Sequence, residues 1–235
     1  PFLNVVAQAF SGQAEINAGK VNLIPKGFNI ETYKTILDDT TFWTSYKNTV
    51  LYTIIGTMIS MVMTTMFAYV LSKKHLMGRK FFTSFAIFTM FFQGGLIPNY
   101  ILIQALGWTN TIWAIVVPGA ISIFNMLIMK SFFESMPEEL EEAAAIDGSS
   151  TYGTFFRIIL PLSKPILATM FLFYAVGSWN SWFSAFLYLD QSDMYPVTLY
   201  LRNLLAGATT GQSAGATSAD DLTQIAANIK AVTMV

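Results

Sequence analysis

The chain has 235 residues, of which 54% are hydrophobic, 15% aromatic and only 11% charged, with a formal net charge of -1 and a mean hydropathy of +0.51. Soluble domains carry roughly 25% charged residues, so this chain cannot cover a water-facing surface, and an ordinary soluble enzyme is excluded. The balanced charge supplies no basic field for nucleic acid, and the lack of cysteine removes disulfides, thiolate metal sites and thiol nucleophiles.

In chain order, Pro1–Ala7 reads as the end of a transmembrane helix, so residues 1–10 are expected to close a first span that is cut short. Residues 11–48 form a mixed-charge segment assigned outside the membrane. Three stretches then carry no charge at all: 48–72, 81–129 and 165–189. About 20 mostly apolar residues cross a hydrocarbon core roughly 30 Å thick. Four spans are therefore predicted, at Thr49–Leu71, Phe82–Ala105, Thr111–Met129 and Ile166–Tyr188, with Gly107-Trp108-Thr109-Asn110 as the turn inside the longest stretch. Gly94, Gly95 and Pro98 interrupt the second span and predict a kink there.

Orientation follows from the basic residues. Lys73, Lys74, Arg79 and Lys80 lie between the first two spans without an acid, which makes that loop cytoplasmic. His75 is one more basic residue of that loop, since no second histidine exists to share a metal. Alternation then puts 106–110 outside, 130–164 inside and the tail from 189 outside. Thus 49–188 is a transmembrane core, and 189–235 is an outer loop leading into the start of a last helix. Within that tail, residues 206–219 are small and Gly-rich and read as a flexible outer loop.

The inside loop at 135–161 divides into two helices on physical grounds. Ser135 and Glu138 have capping-box spacing, Pro137 is tolerated in a first turn, and the glutamates suit the positive end of the dipole. Gly148 is the natural stop. Ser149 or Ser150 can cap a second helix with one apolar face of Tyr152, Phe155, Phe156 and Ile159, ended by Pro161 and expected to lie on the membrane surface.

Within this loop Glu142-Ala143-Ala144, three residues, Gly148, nine residues and Ile158-Ile159-Leu160-Pro161 fill every fixed position of a known pattern, E-A-A, x3, G, x9, I-x-L-P. The chain thereby resembles the permeases of binding-protein-dependent ABC importers. Asn48-Thr49, Phe91 to Pro98, Pro137-Glu138-Glu139-Leu140 and Trp179-Asn180 are similar to the maltose-type carbohydrate branch, particularly permeases for complex oligosaccharides. The resemblance implies an all-α polytopic membrane protein with the type I importer core, maltose-permease-like or MetI-like, and two short cytoplasmic coupling helices.

It also implies an ATPase-coupling role for Glu142, Ala143, Ala144, Asp147, Gly148, Ile158, Leu160 and Pro161. Glu142 would be the acidic contact, Gly148 the tight turn and the alanines the close-packing face. Expected partners are a second, homologous permease subunit, an ATPase dimer, an extracytoplasmic solute-binding protein and membrane lipid, in a bacterial cytoplasmic membrane. The chain itself is expected to bind no cofactor. It contains no P-loop, so ATP and Mg would belong to the partner ATPase.

A permease exposes polar groups where its water-filled route runs. Counting along the spans places Gln93, Asn125 and Asn180 near mid-membrane, with Trp179 and Trp182 beside Asn180 offering a stacking face for a sugar ring. These amides equally suit bridges between helices, and Trp182 suits an interfacial anchor. No Lys or Arg lies in any span, which disfavours strongly anionic substrates at this half of the path. No Ser/His/Asp set, intramembrane carboxylate pair or metal cluster supports an enzyme. An ion-coupled secondary transporter or a receptor or scaffold subunit remains the alternative function, although an ion-coupled site would ordinarily call for a charge within a span.

Overall fold

A computed structural model of the chain describes residues 2–210. All regular elements among them are helical: α1 (Phe2–Ala9), α2 (Gln13–Asn17), α3 (Glu31–Asp38), α4 (Thr40–Ser72), α5 (Arg79–Phe91), α6 (Leu96–Ala105), α7 (Ile112–Val116), α8 (Ile123–Glu134), α9 (Glu139–Ile146), α10 (Thr151–Thr154), α11 (Leu160–Leu162), α12 (Lys164–Trp179), α13 (Phe183–Tyr188) and α14 (Val197–Thr210). A π-helical turn, Phe155–Ile159, joins α10 to α11, and a 3-10 turn, Ser192–Met194, precedes α14. Among the described residues, the chain divides into one unit of those up to Thr49 with those from Asp190 on, and a second unit of Val50–Leu189.

In the first unit, polar side chains hold the two sequence segments together. The Asn48 amide donates to the carbonyl of Asp193 (2.6 Å), the Val197 amide donates to the buried Thr49 hydroxyl (2.7 Å), and the Tyr200 hydroxyl donates to Asp39 (2.6 Å). Phe10 stacks between Phe28 and Tyr33 at 6.1 and 5.2 Å. The Gly-rich reading of 206–219 fails where it can be checked, because α14 continues through Thr210; the rest of that loop and the expected last span lie outside the described residues.

In the second unit, α4 is the one helix that is long and apolar enough to cross a bilayer unaided. A backbone in hydrocarbon must satisfy its own hydrogen bonds, which a helix does internally. The inward face of α4 is small and hydroxylated: Thr57, Ser60, Thr64 and Ala68 are each at most 5% exposed, while Leu51, Ile54, Met58, Val62 and Met66 point out. This is the membrane pattern, in which large apolar groups face lipid and small residues allow close helix approach. Gly56 is one such point, where an added Cβ would stand 3.3 Å from the Ser178 hydroxyl of α12. Below it, Ala68, Leu71, Met126, Met129, Phe155, Ile159 and Met170 join α4, α8, the π turn and α12 in one core.

The other predicted spans are broken. The Phe82–Ala105 segment turns through 111° at residues 92–95, where Gly95 holds φ +89, so the expected kink is present and severe. Thr111–Met129 is not one helix. α7 stops at Val116, and α8 restarts at Ile123 with Ser122 as its cap. Pro118 removes a backbone donor and its ring opposes a helix interior, and Gly119 follows it. The last span begins at Lys164, ends at Trp179 and resumes at Phe183. The turn at 107–110 forms as expected, with Gly107 at φ +68 and Asn110 at φ +57, and the Asn110 amide donates to the Tyr188 carbonyl (2.9 Å).

Candidate functional site

Residues 135–163 build a helix–turn–helix. The Ser135/Glu138 capping box does not form, because the Ser135 hydroxyl donates to the Phe132 carbonyl at the end of α8 (2.7 Å) and Met136, which precedes a proline, belongs to neither helix. Instead α9 starts at Glu139, with Glu139, Glu141 and Glu142 in its first turn where the dipole favours them. Gly148 closes the helix at φ +77. Its amide donates to Ala145 and that of Ser149 to Ala144 (3.0 and 2.9 Å), the paired bonds of a Schellman end. Ser150 then caps α10 by accepting from the Gly153 amide (3.1 Å).

Pro161 does not end the second helix. The π turn, in which the Leu160 amide reaches back to Phe155, widens the backbone enough to take the ring, and the helix runs on to Leu162. The segment Thr151–Leu162 meets α12 at 81°, close to the perpendicular that a surface-lying helix requires. Its apolar face is split: Phe155 and Ile159 are buried in the core, whereas Tyr152 and Phe156 are exposed.

Ion pairs connect this segment to the basic loop after α4. Lys73 pairs with Glu141, Lys74 with Glu138 (3.0 Å) and Arg79 with Glu134, which Lys130 also reaches (2.7 Å). Lys73 also lies 3.8 Å from the Tyr69 ring centre. The hydrogen bond and charge of Lys74 hold the Glu138 carboxyl below its ordinary range. Burial, then the charge of Arg79, lowers Lys130 despite its pairing with Glu134.

The pattern residues divide by exposure. Ala144 is buried, Ile158 and Leu160 are half-buried, and Glu142, Ala143, Asp147, Gly148 and Pro161 are exposed. Among the described residues Glu142 enters no ion pair, unlike Glu138 and Glu141. Ile146 (87% exposed) and Tyr152 (75%) flank Gly148. The pattern's fixed positions do not include them, although an isoleucine and a tyrosine beside a helix-stop glycine were visible signals.

A second site lies within the same unit. A cleft of about 270 Å³ opens between α4, the break from α7 to α8, and α12, and its wall includes Ser60, Gly119, Asn125, Tyr174, Gly177 and Ser178. The Tyr174 hydroxyl ties its three sides, sharing a 2.6 Å hydrogen bond with Thr64 and accepting from the Ser122 amide (3.3 Å). Among the described residues no charged side chain lines the cleft. Of the five path residues expected from sequence, Asn125 lines it. Gln93 is exposed in the α5–α6 break, Trp179 and Asn180 are exposed at the end of α12, and Trp182 is half-buried just beyond. The Asn180 amide donates to the Val176 carbonyl (2.8 Å). Tyr174 and Ser178 carried no motif and were missed.

Residues 40–195 match the family described as binding-protein-dependent transport system inner membrane component. Protein LplC of Bacillus subtilis (strain 168) is 43% identical over 87% of this chain and 69% of its own length. The polygalacturonan/rhamnogalacturonan transport system permease protein YtcP of the same organism is 40% identical over 87% and 72%. A crystal structure of a bacterial ABC transporter involved in the import of the acidic polysaccharide alginate aligns with a TM-score of 0.86 and 30% identity, over all of this chain and 85% of that one. The chain belongs to the family of binding-protein-dependent transport system inner membrane components.

Proposed function

We propose that the chain is the multi-pass permease subunit of an ATP-driven bacterial importer that carries an oligosaccharide from an extracytoplasmic binding protein to the cytoplasm. The observation that carries this reading is the exposed turn at Gly148, on which Glu142, Ala143 and Asp147 face outward beside Ile146 and Tyr152. Unpaired acid and exposed apolar groups around a rigid turn suit a basic-rimmed protein cleft, here that of a cytoplasmic ATPase. α9 and the helix through Leu162 are then the coupling helices. ATP and Mg are bound by that ATPase, and a second, homologous permease completes the membrane pore.

The carbohydrate cargo is supported by the relatives' names and by the wall chemistry of the cleft, whose hydroxyl and amide groups suit a polyhydroxylated solute. The test is reconstitution of this chain with a second permease, ATPase and binding protein in liposomes. Labelled oligosaccharide uptake should require ATP, and this chain alone should hydrolyse none. Uptake driven by a proton or sodium gradient without ATP would overturn the reading.

A further inference from the structure

Three observations converge on the cleft. First, Asn125 is only 8% exposed and lines the cleft, yet among the described residues its side-chain amide makes no hydrogen bond. Its amide atoms are not shut off from solvent, so they open into the cleft with their donor and acceptor capacity available to a solute or water. Second, the cleft borders two helix breaks, contributing Gly119 and Ser122 from one and Ser181 from the other. Irregular backbone at membrane depth is tolerated where it is packed in protein or lines a wet cavity, and broken helices recur at transport sites. Third, an added Cβ at Gly119 or Gly177 would meet no atom within 4 Å, so these glycines keep space open rather than allow helices to touch.

We propose that this cleft is a solute subsite in this subunit, sized for one uncharged, hydroxyl-bearing sugar ring and read by Asn125 with the hydroxyl of Ser60. The volume, about 270 Å³, falls just under the range of roughly 300–1,000 Å³ usual for ligand pockets, which suits a single ring. Ser60 is 5% exposed, lines the same wall and makes no hydrogen bond among the described residues. The amide of Asn125 can donate and accept at once, matching a ring hydroxyl that does both. The wall offers a carboxylate hydrogen-bond donors but no opposite charge to offset its desolvation, so a uronic ring, which YtcP and the alginate importer are named for handling, is not what this subsite favours. The inference rests on the oligosaccharide reading above and adds the ring class and its contacts.

The test is transport by the complete complex of permease pair, ATPase and binding protein, with a panel of labelled neutral disaccharides, galactobiose among them, and their uronic counterparts, such as digalacturonate. Asn125→Ala should lower neutral uptake by about fivefold to tenfold, the loss of one hydrogen bond. Asn125→Asp should cut uronic uptake more than neutral uptake. Gly177→Ala and Gly177→Leu should narrow the cleft in steps and lower neutral uptake in the same order, while the detergent melting temperature of Gly177→Ala stays at or above wild type because alanine favours helix.

Wild-type-like uptake in Asn125→Ala and Gly177→Leu together would overturn the subsite and leave the importer reading intact. So would equal loss of both sugar classes in Asn125→Asp alongside a lowered melting temperature, which marks a merely structural amide. Wild-type complex that hydrolyses ATP but imports no member of the panel would instead remove the oligosaccharide reading, and the subsite with it.

Discussion

At the residue scale, Gly148 is the position on which the coupling segment turns. Its φ of +77 lies where a side chain costs roughly 1–2 kcal/mol, although no neighbour would crowd a Cβ there. The strain is therefore confined to the backbone. Gly148→Val should relax it by tilting α9 against α10, lowering transport and capture of the ATPase while membrane insertion persists. Normal transport with normal ATPase capture would show that the turn is dispensable. Asp39 and Tyr200 form a second informative pair. The Tyr200 hydroxyl donates to Asp39 and lowers its pKa, while burial, and then the carboxylate, raises that of Tyr200.

Both shifts favour the pair in its Asp-charged, Tyr-neutral state. The depressed Asp39 contributes above its unfolded value of about 3.9 and is lost as pH falls through its folded value. The raised Tyr200 contributes below about 10 and is lost as pH rises through its folded value. Between those limits the contact is whole. Tyr200→Phe should thus lower thermal stability by a constant small amount from pH 6 to pH 8, under about 1 kcal/mol for a pair near the surface. The difference should narrow in acid. A gap that widens below pH 4 would contradict this assignment.

At the element scale, the sequence made the long apolar stretches and the Gly148 stop legible, because charge depletion and a helix-ending glycine are local signals. The kink at Gly94-Gly95 was legible for the same reason. Pro118-Gly119 is an equally clear local signal inside an apolar run, and the break it causes builds one side of the cleft. The break at Asn180-Ser181-Trp182 has neither proline nor glycine, so local chemistry did not announce it. Ser135 shows the opposite failure. Its spacing to Glu138 suited a cap, but the preceding helix took its hydroxyl first. The inward face of α4 was hidden because its small hydroxylated residues are less apolar than those facing outward, which inverts the periodicity read in soluble helices. Tyr174 gained its role from Thr64 and Ser122, 110 and 52 residues away in sequence, which no local pattern encodes.

At the scale of the whole molecule, sidedness joins charge in the sequence to contacts in the fold. The basic loop at 73–80 is expected inside, and alternation brings 130–164 back to the same side; the pairs of Lys73 with Glu141 and of Lys74 with Glu138 require that both loops share one side. With no native cysteine, single-cysteine labelling reads this directly. Met77→Cys and Ile146→Cys sit at positions 91% and 87% exposed, and Phe28→Cys at one 73% exposed in the segment assigned outside. A membrane-impermeant maleimide should label Phe28→Cys on intact cells and the other two only in inverted vesicles. Opposite sidedness of Met77→Cys and Ile146→Cys would break both the alternation and the ion pairs. In inverted vesicles carrying the assembled complex, Ile146→Cys should become protected and regain labelling when the ATPase is stripped away. Equal labelling of Ile146→Cys with and without the ATPase would place the docking surface elsewhere than the Gly148 turn.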